Sequence, residues 1–210
     1  VDAAIHLWEG VAYDEHLTLP EGVTVHFTDA GHILGSAMIH FSRNGKTCVF
    51  TGDIGNVPQP LLPAPQIPTG YEYLVMESVY GDRQHEAVAE RTAELKRHIQ
   101  ETITKGGTLL IPAFSLERTQ GMLFEINNFV EQKEIEPIPV FLDSPLAIEV
   151  TELYRTHGAL LRDDVRRQIE GGDDIFRFEG LAFTKTVKDS HEIDKVKGAK
   201  IIIAGSGMSH

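Results

Sequence analysis

The chain has 210 residues, 41% of them apolar, and a net charge of −12 with histidine neutral. That is enough apolar material to bury the core of one large domain or two small ones. No apolar run approaches the ~18 residues needed to cross a bilayer, so a soluble protein is expected, and the acidic balance excludes sequence-blind binding of a polyanion over the whole surface.

Residues 2–9 predict a short helix, with Ile5 and Trp8 three apart and Gly10 as its stop. Thr24 to Thr28 alternates polar and apolar as a half-buried strand does, and residues 38–42 alternate in the same way. Asn44-Gly45 is the strongest hairpin signal in the chain and predicts a partner strand over 46–51. Residues 24–53 therefore read as an antiparallel meander. Cys48, the single cysteine, falls in its last strand as an expected buried thiol, which fits a reducing cytoplasm. Residues 57–70 hold five prolines and predict an irregular but ordered loop, with Leu61, Leu62 and Ile67 to bury. Tyr71 to Ser78 predicts a buried strand that carries Glu77 near its end.

The rhythm then changes. Val88, Thr92, Leu95, Ile99 and Ile103 recur at helical spacing up to the Lys105-Gly106-Gly107 stop. A strand over 108–112, a helix over 116–133 and a strand over 139–142 follow. Asp143-Ser144-Pro145 can cap a helix over 145–156. A helix over 159–170, short strands over 175–178 and 182–187, a small helix over 191–196 and an apolar strand over 199–204 complete the series. Strands alternating with helices of this length predict a doubly wound parallel sheet, with ligands at the carboxyl ends of its strands. Two regions are expected, 1–84 and 85–210. They differ in charge: the first holds 3 basic and 10 acidic side chains, the second 16 and 21. A nucleic-acid partner would need a local basic groove or a metal ion.

Three side chains stand at predicted strand ends beside glycine-bearing loops: His32 in D-A-G-H-I-L-G-S, Asp53 in T-G-D-I-G, and Glu77 in M-E-S-V-Y-G-D. A lone loop histidine is more often a surface residue, and an aspartate between glycines is as often a turn residue as a ligand. A carboxylate closing a buried strand must be paired, bound to metal or protonated. The three together make a candidate metal constellation.

The same segments resemble motifs 3, 4 and A of the β-CASP branch of the metallo-β-lactamase-fold hydrolases, a family of RNA-processing nucleases. I-P-A-F-S-L-E-R-T-Q-G-M-L (111–123), L-D-S-P-L-A (142–147) and I-I-I-A-G-S-G-M (201–208) are similar to further segments of that branch's inserted domain. The resemblance covers nearly the whole chain in order. It implies an α/β fold: part of a metallo-β-lactamase αββα region over 1–84, then a doubly wound β-CASP domain over 85–210, incomplete at its C-terminal end. It implies that His32 ligates one zinc, that Asp53 bridges two, and that Glu77 lies beside them and orients a histidine that protonates the leaving group. Two zincs would acidify a bridging water and clamp an RNA phosphodiester for in-line attack.

The family's H-x-H-x-D-H motif and the histidines of its motifs B and C occur nowhere in these residues. They would lie before residue 1 and after residue 210. His6, His16, His26, His40, His85, His98, His157 and His191 are scattered singly and are not expected to replace them, and His210 is the last residue. With the chain starting Val-Asp and lacking a leader segment, it reads as an internal piece whose parent is a zinc-dependent ribonuclease. The isolated chain is expected to be inactive and to pair its apolar strands 24–28, 46–50 and 73–76 with another chain or copy. By the same analogy Ser144, Ser206 and Arg118 are candidate RNA-phosphate contacts. The competing readings are a helix cap for Ser144 and a surface ion pair for Arg118. Phe114 could stack on a base, with a core position as the plainer reading. Alternatives for the whole are a non-catalytic scaffold of an RNA-processing complex, a DNA-directed nuclease, or a hydrolase of small esters.

Overall fold

The computed structural model describes residues 2–83 and 88–205. It contains two compact units: one formed by the chain up to Val57 together with Ala64–Arg83, the other by Pro58–Pro63 together with the chain from residue 88 onward.

The first unit is a five-stranded sheet in the order β1 (Leu17–Leu19), β2 (Val23–Asp29), β3 (Ala37–Arg43), β4 (Lys46–Phe50), β5 (Tyr73–Val75). The first four strands run antiparallel to their neighbours, and β5 adds parallel to β4. The β3–β4 turn is Asn44-Gly45 with φ of 52° and 76°. Positive φ at both central residues is the type I′ geometry whose twist matches the flanking strands. Its register, Arg43 opposite Lys46, puts Ile39 opposite Phe50 and turns Met38 and Val49 inward. Met38, Val49 and Ala30 make a small core, with Tyr71 against it.

Several expectations change in this unit. The N-terminal helix, α1 (Asp2–Ile5), is shorter than 2–9, and Trp8 is 81% exposed. Val25 and Val49 are buried, whereas Phe50 at the end of the second of these strands is 43% exposed and the strand 73–76 is open throughout: Tyr73, Leu74, Val75 and Met76 are each more than half exposed. The buried strand over 71–78 is thus a three-residue edge strand. An apolar run shows what a segment can bury, not what covers it. Cys48 is only partly buried.

The second unit holds α2 (Val88–Lys105), β6 (Thr108–Pro112), α3 (Arg118–Glu131), β7 (Val140–Asp143), α4 (Pro145–Thr156), α5 (Asp163–Glu170), β8 (Leu181–Phe183), α6 (Val187–Glu192) and β9 (Lys200–Ala204). Its strands form an all-parallel sheet in the order β6-β9-β7-β8. The α2 stop is Gly106, at φ 67°. Ile201 and Ile203 of β9, Leu142 of β7, Leu123 and Ile126 of α3, and Ile99 of α2 are fully buried and form the core. β9 is a central strand, buried at Ile201 and Ile203 and partly buried at Ile202, which fits the apolar run 201–204. Residues 175–178 form turns rather than a strand, because Arg177 N–H donates to Asp174 O and bends the chain. Ile175, Phe176 and Phe178 are buried all the same, and Phe176 meets Tyr154 edge-on at 6.4 Å. In the proline-rich segment Leu61 and Leu62 are buried, while Ile67 is 76% exposed. Residues 58–63 are fastened within this unit by Arg162, whose N–H donates to Leu61 O at 2.9 Å and whose guanidinium donates to Gln59 O at 2.6 Å.

Candidate metal centre and carboxyl-edge site

The loop between β2 and β3 is tied by short-range hydrogen bonds. Ala30 N–H donates to Ser36 O, Ser36 N–H donates to Ile33 O, and Ser36 Oγ accepts from both His32 N–H (3.1 Å) and Ile33 N–H (3.2 Å). Asp29 Oδ1 accepts from Gly31 N–H at 2.7 Å, an Asx-type turn. Gly31 and Gly35 take positive φ, 59° and 82°, where a side chain would be strained. Ser36 was not singled out in the sequence; its signal is a hydroxyl four residues past the histidine in a glycine-bracketed loop.

Asp53 lies past β4 in a turn opened by Gly52 at φ 56°. Gly55 N–H donates to Ala30 O at 2.9 Å and joins this turn to the His32 loop. Glu77 Oε1 accepts from Ile54 N–H at 2.7 Å, and Glu77 N–H donates to Thr51 Oγ1 at 3.4 Å. Glu77 therefore holds the turn that carries Asp53.

The result is that His32 Nε2 comes within 3.8 Å of Asp53 Oδ2, with both side chains open to solvent. Two ligands of one tetrahedral zinc stand roughly 3.3 Å apart. An imidazole nitrogen and a carboxylate at 3.8 Å, on side chains free to adjust, fit a shared metal as its donor set. Among the described residues no group of three or more His, Cys, Asp or Glu is placed to hold a metal. This chain thus offers a pair of donors.

The sequence scattered its other histidines; the sheet collects three. His26 and His40 are cross-strand partners with rings stacked at 4.3 Å, and His16 lies 4.5 Å from His26. His40 is buried, with Nε2 2.7 Å from Thr28 Oγ1 and Nδ1 2.6 Å from Tyr71 Oη. Burial, then the neighbouring histidine, lowers the pKa of both His40 and His26, with Asp14 opposing. Burial, then the Asp29 charge, pushes Tyr13, whose Oη donates to Ser36 O, up to about 12. His40 is structural: each of its ring nitrogens has a hydrogen-bond partner.

In the second unit the carboxyl ends of β6, β7 and β9 converge. Ser144 caps α4, its Oγ accepting from Ala147 N–H at 3.2 Å. Ser144 Oγ also lies 3.3 Å from Ser115 Oγ. A Cβ on Gly205 would fall 2.3 Å and 2.8 Å from these two oxygens, so only glycine fits there. Arg118 is exposed at the first turn of α3. Ser206, like His85 and His210, lies outside the described residues. Phe114 is 68% exposed, not a core residue.

Residues 119–210 match the Beta-Casp domain model. Similar proteins include a ribonuclease of Thermus thermophilus, 31% identical over 208 residues, covering 99% of this chain and 48% of that protein. An RNase J-like protein of Methanocaldococcus jannaschii is 34% identical, covering 95% and 46%. Cleavage and polyadenylation specificity factor subunit 3 of Dictyostelium discoideum is 28% identical, covering 99% and 26%. The chain spans about half the length of the first two and a quarter of the third. With a mixed α/β fold, a parallel second sheet and the Beta-Casp match over three of its four strands, this chain belongs to the β-CASP family of metallo-β-lactamase-fold proteins.

Proposed function

We propose that this chain is the part of a zinc-dependent ribonuclease that supplies two of its metal ligands and its nucleic-acid-holding domain. The observation that carries the reading is the 3.8 Å approach of His32 Nε2 to Asp53 Oδ2, across two loops tied by the Gly55–Ala30 hydrogen bond. The names of the similar ribonucleases support RNA as the substrate.

In this reading His32 and Asp53 would be the residues of this chain that hold the metal. When bound, zinc supplies Lewis acidity at the phosphodiester and a water acidic enough to ionise near neutral pH. Glu77 holds the backbone of the Asp53 turn through Ile54 N–H. Ser36 does the same for the backbone at His32. Ser144, Ser206 and Arg118 are the candidate contacts to the RNA backbone. A pair of donors holds zinc weakly, so the isolated chain should not hydrolyse RNA.

The test is hydrolysis of a labelled single-stranded RNA by the full gene product, with zinc, with chelator, and as the Asp53→Ala variant. Zinc-dependent cleavage that falls at least about 100-fold in the variant, with less zinc retained, is expected. A zinc-loaded wild type that cleaves neither RNA nor DNA would end the nuclease reading. Cleavage of DNA alone would keep the metal site and replace the substrate.

A further inference from the structure

Between the end of β6 and the start of α3 the chain turns through residues 113–117, and this turn is fastened from several sides. Ala113 N–H donates to Ala204 O at 3.0 Å, extending the β6–β9 pairing. Phe114 O accepts from Thr119 Oγ1 at 2.8 Å and from Thr119 N–H at 3.3 Å. Ser115 O accepts from Nε2 of Gln120, a fully buried side chain, at 3.1 Å. Glu117 sits at φ 62°, ψ −57°, a conformation costly for a residue with a Cβ, and its carboxylate accepts from Tyr154 Oη at 2.6 Å. Strain of this kind persists only where the surroundings over-determine the backbone.

On this rigid turn stands an exposed phenylalanine ring. A large aromatic held in water on a fixed backbone loses little conformational freedom when a flat partner covers it. Two polar residues follow it on the same turn. Ser115, the next residue, places its hydroxyl against that of Ser144. Arg118, four residues on, is a cation in the first turn of a helix, where the macrodipole disfavours it and favours an anion. An exposed ring and an exposed cation four residues apart complement a base joined to a phosphate.

We propose that Phe114 is the platform on which one base of single-stranded RNA stacks, with the adjoining phosphate toward Arg118. This rests on the nuclease reading and names a substrate contact within it. Stacking on an aromatic is tolerant of base identity, so the platform would grip the strand without selecting sequence.

The test crosses protein and ligand changes in the full gene product, with chelator present to prevent cleavage. Fluorescence anisotropy measures binding of a short labelled RNA and of copies each carrying one abasic position. In the wild type one abasic position should weaken binding roughly 5- to 50-fold. In Phe114→Ala and Phe114→Leu the intact RNA should bind that much more weakly and the same abasic position should cost nothing more, while Phe114→Trp restores affinity. The ring is exposed, so the melting temperatures should stay together. If Phe114→Leu binds as the wild type does, or the abasic effect survives in it, the platform is wrong and the nuclease reading stands. If the wild type binds neither RNA nor DNA, both fall.

Discussion

Glu117 carries a carboxylate where the structure favours a neutral group. Burial raises its pKa, with the Tyr154 hydrogen bond and Arg118 opposing. A carboxyl whose folded pKa lies above its unfolded value is stabilising below the unfolded pKa, and that contribution is lost as pH rises through the folded pKa. Glu117→Gln keeps an acceptor for Tyr154 and removes the charge, so it should stabilise the protein at pH 7 by on the order of 1–2 kcal/mol and have little effect at pH 4. Urea unfolding at both pH values checks this; equal effects at the two would rule out the charge as the cause. Gly205→Ala should cost about 1–3 kcal/mol, because its Cβ would crowd Ser144 Oγ and Ser115 Oγ. His32, Asp53 and Glu77 were legible because glycines and strand ends frame them. Ser36, the histidine stack and exposed Phe114 were not, because their roles depend on partners far away in sequence or on what leaves them uncovered.

In the β2–β3 ladder, the pairing of His26 with His40 ties stability to pH. Both pKa values are lowered by burial first, so the unfolded chain takes up protons before the folded one does. The stabilisation is present above the ordinary histidine pKa and is lost as pH falls through the lowered folded values. The surrounding groups are His16, Asp14, Thr28 and Tyr71; only Asp14 favours the protonated rings. Lowering the pH from 8 to 5 should therefore reduce the melting temperature. His26→Gln should flatten that dependence, and an unchanged pH profile in that variant would refute the coupling. For β8 the deciding residue is Gly180, at φ 94°, where a Cβ would come 2.3 Å from Ile138 O. Gly180→Ala should cost roughly 3 kcal/mol or more and be seen as a loss of cooperative unfolding. The helices over 145–156 and 88–105 were readable from caps and period; the 175–178 turns and the β5 edge were not, since apolar runs do not declare their pairing.

For the whole molecule, a net charge of −12 opposes the approach of a polyanion. If RNA is held as proposed, by a metal site, a stacked base and a few phosphate contacts, it should show a shallow salt dependence, with log K falling no faster than about three times log salt. A slope near ten would point to a broad basic face instead. Among the described residues no helix is long and apolar enough to cross a membrane.

The amino-acid sequence by itself determined the elements that local rules control: the Asn44-Gly45 turn, the Ser144 cap, the Gly106 stop and the alternation that makes the second sheet parallel. These depend on neighbours within a few residues, where steric and hydrogen-bonding preferences are strong. Tertiary structure alone decided that His32 faces Asp53 at 3.8 Å, that three scattered histidines gather with His26 stacked on His40, that residues 58–63 join the second unit, and that Phe114 stays in solvent. Those outcomes follow from strand register and from which surfaces close over which, and both are settled by long-range packing.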